Sequence, residues 1–303
     1  MERREFFRNT LVAGSAVTFP WGRGAKGTTK YHLRYAPRLG FLQKELTIPQ
    51  RLELFAKHGF DAIEYNGLMK HSLSEVETMR KKMETLGIEM GIFVANPTGS
   101  TGFRGGPGTA GMVDPNQRND FLDSIKKALK YHEVIGNHYC TVITSVAIPG
   151  IPRGTQRINV IEALRRAAEI VEKYELTLVV EPLNEWVDHA GYFLVRSDEA
   201  AEIMASVNSP KIKILFDIYH QQISEGNLIN NIRNHYEYIG YFQVGDVPGR
   251  KEPGTGEVNW RNVFKSIHDL GYKGILGMEH GLSVEGIVGL EKCFNEYRKA
   301  DAW

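Results

Sequence analysis

The sequence predicts an α/β fold, a single-domain (β/α)8 barrel, because short apolar segments alternate with amphipathic helical patterns eight times along the chain. The apolar segments span 31–36, 61–65, 89–95, 139–145, 177–183, 212–217, 241–245 and 275–279. They are rich in Ile, Val, Phe, Tyr and Leu, as is typical of buried parallel strands. An open doubly wound sheet is the alternative, but it usually has fewer units, and the turn after the first segment lacks a G-x-G-x-x-G motif.

The segments between the strands carry helix start and stop signals. Between 158 and 171, apolar residues at 161, 164, 168 and 171 form one stripe, and charged residues lie outside it. Asp114 followed by Pro115 predicts a capped helix start. Glycines shortly before the next strand predict left-handed helix ends at Gly59, Gly87, Gly136 and Gly271.

Composition restricts the classes of function. The 303 residues are 42% hydrophobic and 24% charged, with a formal net charge of +1, as in a soluble globular protein. A protein whose main partner is nucleic acid needs a basic surface that this charge does not supply. Cys140 and Cys293 have neither the spacing of a metal site nor that of a disulfide framework.

Residues 1–29 form a separate N-terminal extension before the barrel at 30–303. Arg3 and Arg4 precede a weakly apolar stretch at 11–19, which resembles a Tat-type signal. We therefore expect export to the periplasm; the alternative is a cytoplasmic protein with a chance Arg-Arg pair. The apolar stretch is too short to span a bilayer, so no stable membrane insertion is expected.

A glycine-rich loop at 96–113 follows the third predicted strand. Loops of this length in compact domains are often lids over a ligand, and Phe103 and Arg104 are suited to that role. A passive surface loop is the equal alternative.

Four consecutive strands end in oxygen-bearing side chains. Glu181, Asp217, Gln243 and Glu279 follow apolar residues at the carboxyl ends of strands five to eight, where barrel enzymes hold their active sites. Converging carboxylates repel each other unless a cation lies between them, and an all-oxygen set suits Mg²⁺ or Mn²⁺. The alternative is that each side chain bonds only to nearby backbone.

Further residues near these strand ends are candidates for substrate binding. His220 and Arg250 are suited to orienting substrate oxygens, although a backbone-bonded histidine and a surface ion pair are the simpler interpretations. Glu64, at the end of strand two, is a candidate for a bond to a ligand or to a neighbouring loop. Trp186 is a candidate wall of the pocket, or a packing residue.

Several motifs resemble those of the hydroxypyruvate isomerase family, within the xylose isomerase-like TIM barrel superfamily of sugar isomerases and epimerases. They are VVEPLN at 179–184, FDIYHQQ at 216–222, EGNL at 225–228, IGYFQVGDVPGRKEPGTGEVNW at 239–260 and GMEH at 277–280. The resemblance implies that Glu181, Asp217, Gln243 and Glu279 bind a divalent metal. It also implies that Glu181 and Glu279 are the acid/base catalysts. Related ketose 3-epimerases carry His in place of Gln243.

The sequence departs from this family after Glu279. It reads His280-Gly281-Leu282, where the isomerases have Tyr, Lys and Pro. The missing lysine and the export-like N-terminus leave a keto-sugar open as substrate beside a small keto-acid. The expected activity is aldose–ketose isomerisation through an enediolate. The alternatives are a keto-sugar epimerase, dehydratase or lyase, and an exported barrel that binds sugars without catalysis. Homo-oligomerisation stays open.

Overall fold

The computed structural model describes residues 31–96 and 111–303. The strands are β1 Arg34–Pro37, β2 Ala62–Ile63, β3 Glu89–Met90, β4 Ile92–Val94, β5 Tyr139–Val142, β6 Thr177–Val180, β7 Ile212–Asp217, β8 Ile239–Gln243 and β9 Ile275–Met278. Seven of them form one curled parallel sheet in the order β1-β9-β8-β7-β6-β5-β4, and β2 pairs with β3.

Backbone hydrogen bonds around Glu64 close this sheet into a barrel. The Glu64 amide donates to Pro37 at 3.1 Å, and its carbonyl accepts from Leu39, which joins the end of β2 to β1. On the other side, the Tyr65 amide donates to Ile92 at 3.1 Å, which joins the end of β2 to β4. β3 and β4 are one strand interrupted at Gly91, so the predicted (β/α)8 TIM barrel is confirmed.

Helices follow the strands and cover the outside of the barrel. They are α1 Ile48–Lys57, α2 Leu73–Leu86, α3 Arg118–Ile135, α4 Arg153–Val171, α5 Ser197–Val207, α6 Ile218–Ser224, α7 Leu228–His235, α8 Trp260–Asp269 and α9 Gly286–Ala300. Short 3₁₀ turns occupy Leu68–Lys70, Pro115–Gln117 and Tyr236–Tyr238. The predicted helix signals are confirmed: Asp114 caps the turn that leads into α3, and the four glycines have φ of +86°, +66°, +74° and +80°.

Apolar side chains fill two regions. The larger core lies between the strands and the helices. A smaller one is formed by side chains from successive strands, and its members are Ala36, Ala62, Ile92, Val179, Leu215, Tyr241 and Ile275. Because apolar residues fill this second region, the polar side chains collect at the carboxyl ends of the strands.

Two predictions lie outside the described residues. The N-terminal signal at 1–29 does, and so does most of the 96–113 loop, including Phe103 and Arg104. Both stay predictions. Among the helices of the described residues, none is long and apolar enough to cross a membrane.

Candidate active site

The four strand-end side chains predicted from the sequence are positioned by neighbouring strands. Glu181 follows β6 directly, Asp217 and Gln243 are the last residues of β7 and β8, and Glu279 follows β9. Asp217 and Gln243 are fully buried, the relative exposure of Glu181 is 7%, and Glu279 is partly exposed. We refer to Glu181, Asp217 and Glu279 as the carboxylate cluster.

Arg250 bridges two members of the carboxylate cluster. Its Nη2 atom donates to Asp217 Oδ2 at 2.7 Å and to Glu279 Oε2 at 2.9 Å, and its Nε atom donates to the Glu279 carbonyl at 3.1 Å. The guanidinium also lies 4.8 Å from the ring centroid of Tyr219. The simpler interpretation of Arg250 as a surface ion pair is not what the structure shows, because its partners are in the carboxylate cluster. The acidic residues of its own loop bond elsewhere, Glu252 to Ser283 and Glu257 to Gln222.

Burial and mutual repulsion change the acidity of the cluster. Burial raises the pKa of Glu181 well above its usual value, and the charges of Glu279 and Asp217 raise it further. Burial also raises the pKa of Asp217 to about 7, although the charge of Arg250 opposes this shift. A single guanidinium thus leaves the cluster short of positive charge, which is the condition that a divalent cation would relieve.

Gln243 presents a buried oxygen to the site. Its Nε2 atom donates to Glu64 Oε1 at 2.8 Å, whereas its Oε1 atom is buried and receives no hydrogen bond from the described residues. Glu64 itself is almost fully buried. The structure thus bonds Glu64 to Gln243 through one oxygen, and its predicted contact with a ligand stays a prediction.

His220 faces the cluster from the first turn of α6. Its Nε2 atom lies 3.5 Å from Asp217 Oδ2 and 3.9 Å from Glu181 Oε1. Burial lowers the pKa of His220 well below its usual value, with further contributions from Arg250 and His189. A neutral imidazole therefore stands beside two carboxyl groups.

The donor set of this site fits a divalent cation. A carboxylate oxygen of Glu181 lies within 4.8 Å of one of Asp217, and a nitrogen of the His220 ring lies beside both. The partnerless Oε1 atom of Gln243 adds a neutral oxygen, and a buried oxygen without a partner is costly unless a ligand occupies it. Carboxylate and amide oxygens are the ligands that Mg²⁺ and Mn²⁺ prefer.

The loop that carries Arg250 is organised by the buried carboxylate of Asp246. Its Oδ2 atom accepts from the Gly254 and Gly256 amides, both at 2.9 Å. Its Oδ1 atom accepts from the Val247 amide at 2.9 Å and the Val258 amide at 3.2 Å. These four bonds explain why an acidic residue opens the glycine-rich segment, and they fix the loop from which Arg250 reaches the cluster.

Sequence reasoning missed two asparagines at the site. Asn66 donates from Nδ2 to Glu279 Oε1 at 2.5 Å, and Asn184 contacts His220. Both follow a strand end by a few residues, the same signal that identified Glu64 and Glu181.

Two other residues bear on the substrate-binding predictions. A Cβ atom at Gly281 would lie 2.8 Å from Lys251 Nζ, so an ammonium from another loop stands next to the position where the lysine was missing. Trp186 is 74% exposed on the loop after β6, and its predicted role in the pocket stays a prediction.

Comparison with known proteins places the chain in a class. Residues 52–290 match the xylose isomerase-like TIM barrel family, to which the chain therefore belongs. The solved structure described as an AP endonuclease of family 2 from Brucella melitensis is 26% identical, with a TM-score of 0.76, over 85% of this chain and 96% of that one.

Two relatives of the chain are named as isomerases. The 2-oxo-tetronate isomerase of Cupriavidus necator is 32% identical over 246 residues, which are 81% of this chain and 92% of the relative. The hydroxypyruvate isomerase of Escherichia coli K12 is 29% identical over 251 residues, covering 82% of this chain and 93% of the relative. The chain is thus an isomerase of this family.

Proposed function

We propose that this isomerase interconverts a small 2-keto acid and its aldehyde isomer, as in hydroxypyruvate to tartronate semialdehyde, by proton transfer through an enediolate. The observation that carries the proposal is the pair of glutamates, Glu181 and Glu279, on strands that flank the buried Asp217 and Gln243. Two carboxyl groups on one site can remove a proton from one carbon and return one to the next.

Glu181, Asp217, Gln243 and Glu279 would hold Mg²⁺ or Mn²⁺, which when bound polarises a carbonyl oxygen and acidifies the neighbouring C–H. His220 is not part of this proposed ligand set. The unpartnered Gln243 oxygen supports the assignment, since it offers a neutral donor beside three carboxylates.

The two glutamates differ in ways that suit different roles. The Glu181 carboxyl receives no hydrogen bond from the described residues, and its raised pKa makes it a stronger base once it has lost its proton. Both oxygens of Glu279 accept hydrogen bonds, from Asn66 and Arg250. We therefore assign proton removal to Glu181 and hold that Glu279 acts on the adjacent carbon.

Positive charge beside the cluster supports an anionic substrate. Arg250 is held against Glu279, and Lys251 lies next to Gly281, two residues beyond Glu279. A lysine supplied by the Arg250 loop supports an anionic substrate even though the position after His280 carries glycine. His220 would donate a hydrogen bond to a substrate oxygen.

The direct test is proton exchange followed by NMR in D₂O with Mg²⁺, using hydroxypyruvate, four-carbon 2-keto acids and a panel of ketoses. We expect metal-dependent exchange and conversion with the keto acids. Exchange with ketoses alone would contradict the keto-acid assignment in favour of a keto-sugar isomerase or epimerase. Binding without exchange would favour a non-catalytic sugar-binding barrel.

Variants assign the roles in the same assay. Glu181→Gln and Glu279→Gln should each lower kcat by about 10²- to 10⁴-fold, the usual contribution of a positioned acid or base. Glu175→Gln is the matched control, because this exposed glutamate lies before β6, at the opposite end of the strand that positions Glu181. Near-normal turnover in both site variants would refute the assignment.

A further inference from the structure

Asn184 has a side-chain amide whose orientation is fixed on both sides. Its Oδ1 atom accepts from the backbone amides of Val187 at 3.0 Å and Asp188 at 3.2 Å. Its Nδ2 atom donates to Asp188 Oδ2 at 2.8 Å. A rotated amide would set its NH₂ group against two N–H donors, so the oxygen must face the loop and the nitrogen must face inward.

The inward side of this amide determines the state of His220. Asn184 Nδ2 lies 2.7 Å from His220 Nδ1, and the backbone N–H of Asn184 donates to the same nitrogen at 3.3 Å. Both groups are donors, so Nδ1 must present its lone pair. The ring then carries its single proton on Nε2, and a doubly protonated ring would place an N–H against two donors.

The protonated nitrogen is the one that faces the carboxylate cluster. His220 Nε2 lies 3.5 Å from Asp217 Oδ2 and 3.9 Å from Glu181 Oε1, both too long for a direct hydrogen bond. The rings of His189 and Tyr219 pack against His220 with centroids at 5.2 Å each, which restrains its orientation. This N–H group therefore points at the site and makes no hydrogen bond within residues 31–96 and 111–303.

We propose that Asn184 is a positioning residue that holds His220 as the Nε2–H tautomer, so that this ring donates to a substrate oxygen and is not a metal ligand. The inference rests on the isomerase function proposed above and deepens it. A nitrogen that carries a proton cannot coordinate a cation, so the grouping of Glu181, Asp217 and His220 is not the ligand set. The fourth protein ligand then has to come from Gln243.

The tautomer can be measured without substrate. Protein labelled with ¹⁵N in its histidine rings is examined by long-range ¹H–¹⁵N NMR, metal-free and with Mg²⁺, and His220→Gln identifies the signal among the 10 histidines. We expect an unprotonated Nδ1 and a protonated Nε2 in both samples. Protonation of Nδ1 in the wild-type protein, or a shift of Nε2 to the metal-bound type with Mg²⁺, would overturn the proposal.

Two variants of Asn184 separate positioning from mere packing. Asn184→Asp keeps the shape but presents an acceptor to Nδ1, so Nδ1 should gain a proton and kcat should fall by about 10- to 100-fold with KM changed less. Asn184→Ala removes one donor and leaves the backbone donor, so the tautomer should persist with a smaller loss of kcat. Equal tautomers in wild type and Asn184→Asp would refute the positioning role.

These outcomes remain distinct from a failure of the proposed function. If the wild-type ring shows the expected tautomer but no keto acid is turned over, the isomerase assignment to keto acids fails and the assignment of Asn184 stands. If keto acids are turned over but Nδ1 carries the proton, the inference on Asn184 fails alone. The wild-type spectrum decides this even if Asn184→Asp does not fold.

Discussion

Gln243 can present either an oxygen or a nitrogen to the site, and Glu64 selects between them. The Gln243 amide turns its nitrogen to Glu64 Oε1, at 2.8 Å, and its oxygen away. Burial and the charge of Glu279 raise the pKa of Glu64 well above its usual value, and Oε1 can accept this bond whether the other oxygen carries a proton or not. Gly277 allows this arrangement, because a Cβ atom there would lie 1.6 Å from Glu64 Oε2. Glu64 would thus act on the proposed cation site through Gln243.

Replacing Glu64 by Gln should weaken metal binding. The new amide offers both a donor and an acceptor, so it no longer selects the orientation of Gln243, and the affinity for Mn²⁺ should fall by about 10- to 100-fold. Isothermal titration calorimetry on the metal-free protein measures this. Glu133→Gln, which removes an exposed carboxylate on α3, is the control. An unchanged affinity in Glu64→Gln would contradict this role.

Strand-end position was enough to predict the carboxylate cluster, Gln243 and His220, because a parallel barrel brings these positions together whatever the loops do. It was not enough for Asn184. An asparagine in a loop is common in sequences, and only the geometry shows that its oxygen is occupied by two backbone amides and that its nitrogen meets His220. The partner of Glu64 was likewise inaccessible, since the bond joins residues 179 positions apart.

At the level of elements, strand positions were predictable and strand ends were less so. The predicted bounds of β7 are those observed, whereas β8 begins at Ile239, two residues before the predicted start. Gly240 lies inside the strand, where a Cβ atom would stand 2.9 Å from Lys213 Cβ on β7. Gly91 interrupts the predicted 89–95 strand, and a Cβ atom there would lie 2.5 Å from the Tyr241 hydroxyl.

The loop between β8 and α8 is the element on which the position of Arg250 depends. A Cβ atom at Gly256 would lie 1.9 Å from the Val247 carbonyl oxygen, so Gly256→Ala must displace this loop. We expect kcat/KM to fall on the order of 100-fold, as for a displacement of about 1 Å at an active site. The free energy of unfolding should fall by only about 1–3 kcal/mol.

Gly154→Ala is the matched control for this substitution. Gly154 lies in the first turn of α4, and nothing stands within 4 Å of an added Cβ atom. Kinetics and thermal unfolding are measured for both variants. Equal activity in the two variants would show that the loop tolerates displacement and that Arg250 does not depend on it.

At the scale of the whole molecule, closing the barrel gathers acidic groups that the unfolded chain keeps apart. The pKa of Asp217 rises from 3.8 to about 7 on folding, and that of Glu181 also rises, chiefly because both are buried. At these two carboxyls the folded metal-free protein therefore binds more protons than the unfolded chain, and their contribution to the free energy of unfolding should fall as pH rises from about 4 to about 7. The buried histidines His189, His220 and His280, whose pKa values are lowered, contribute in the opposite sense as pH rises towards about 6.5.

Metal binding should reverse this dependence, because a cation binds the deprotonated carboxylates and its affinity rises over the same pH range. Thermal unfolding is measured with EDTA or with Mn²⁺ at pH 5.5 and pH 8. We expect the stability of the metal-free wild type to change less favourably from pH 5.5 to pH 8 than that of Asp217→Asn, whose amide does not titrate. Mn²⁺ at about 100 times its Kd should add about 2.7 kcal/mol to the wild type at pH 8. The same pH dependence in metal-free wild type and Asp217→Asn would show that Arg250 alone neutralises Asp217, and that no cation is required to hold this carboxylate in the cluster.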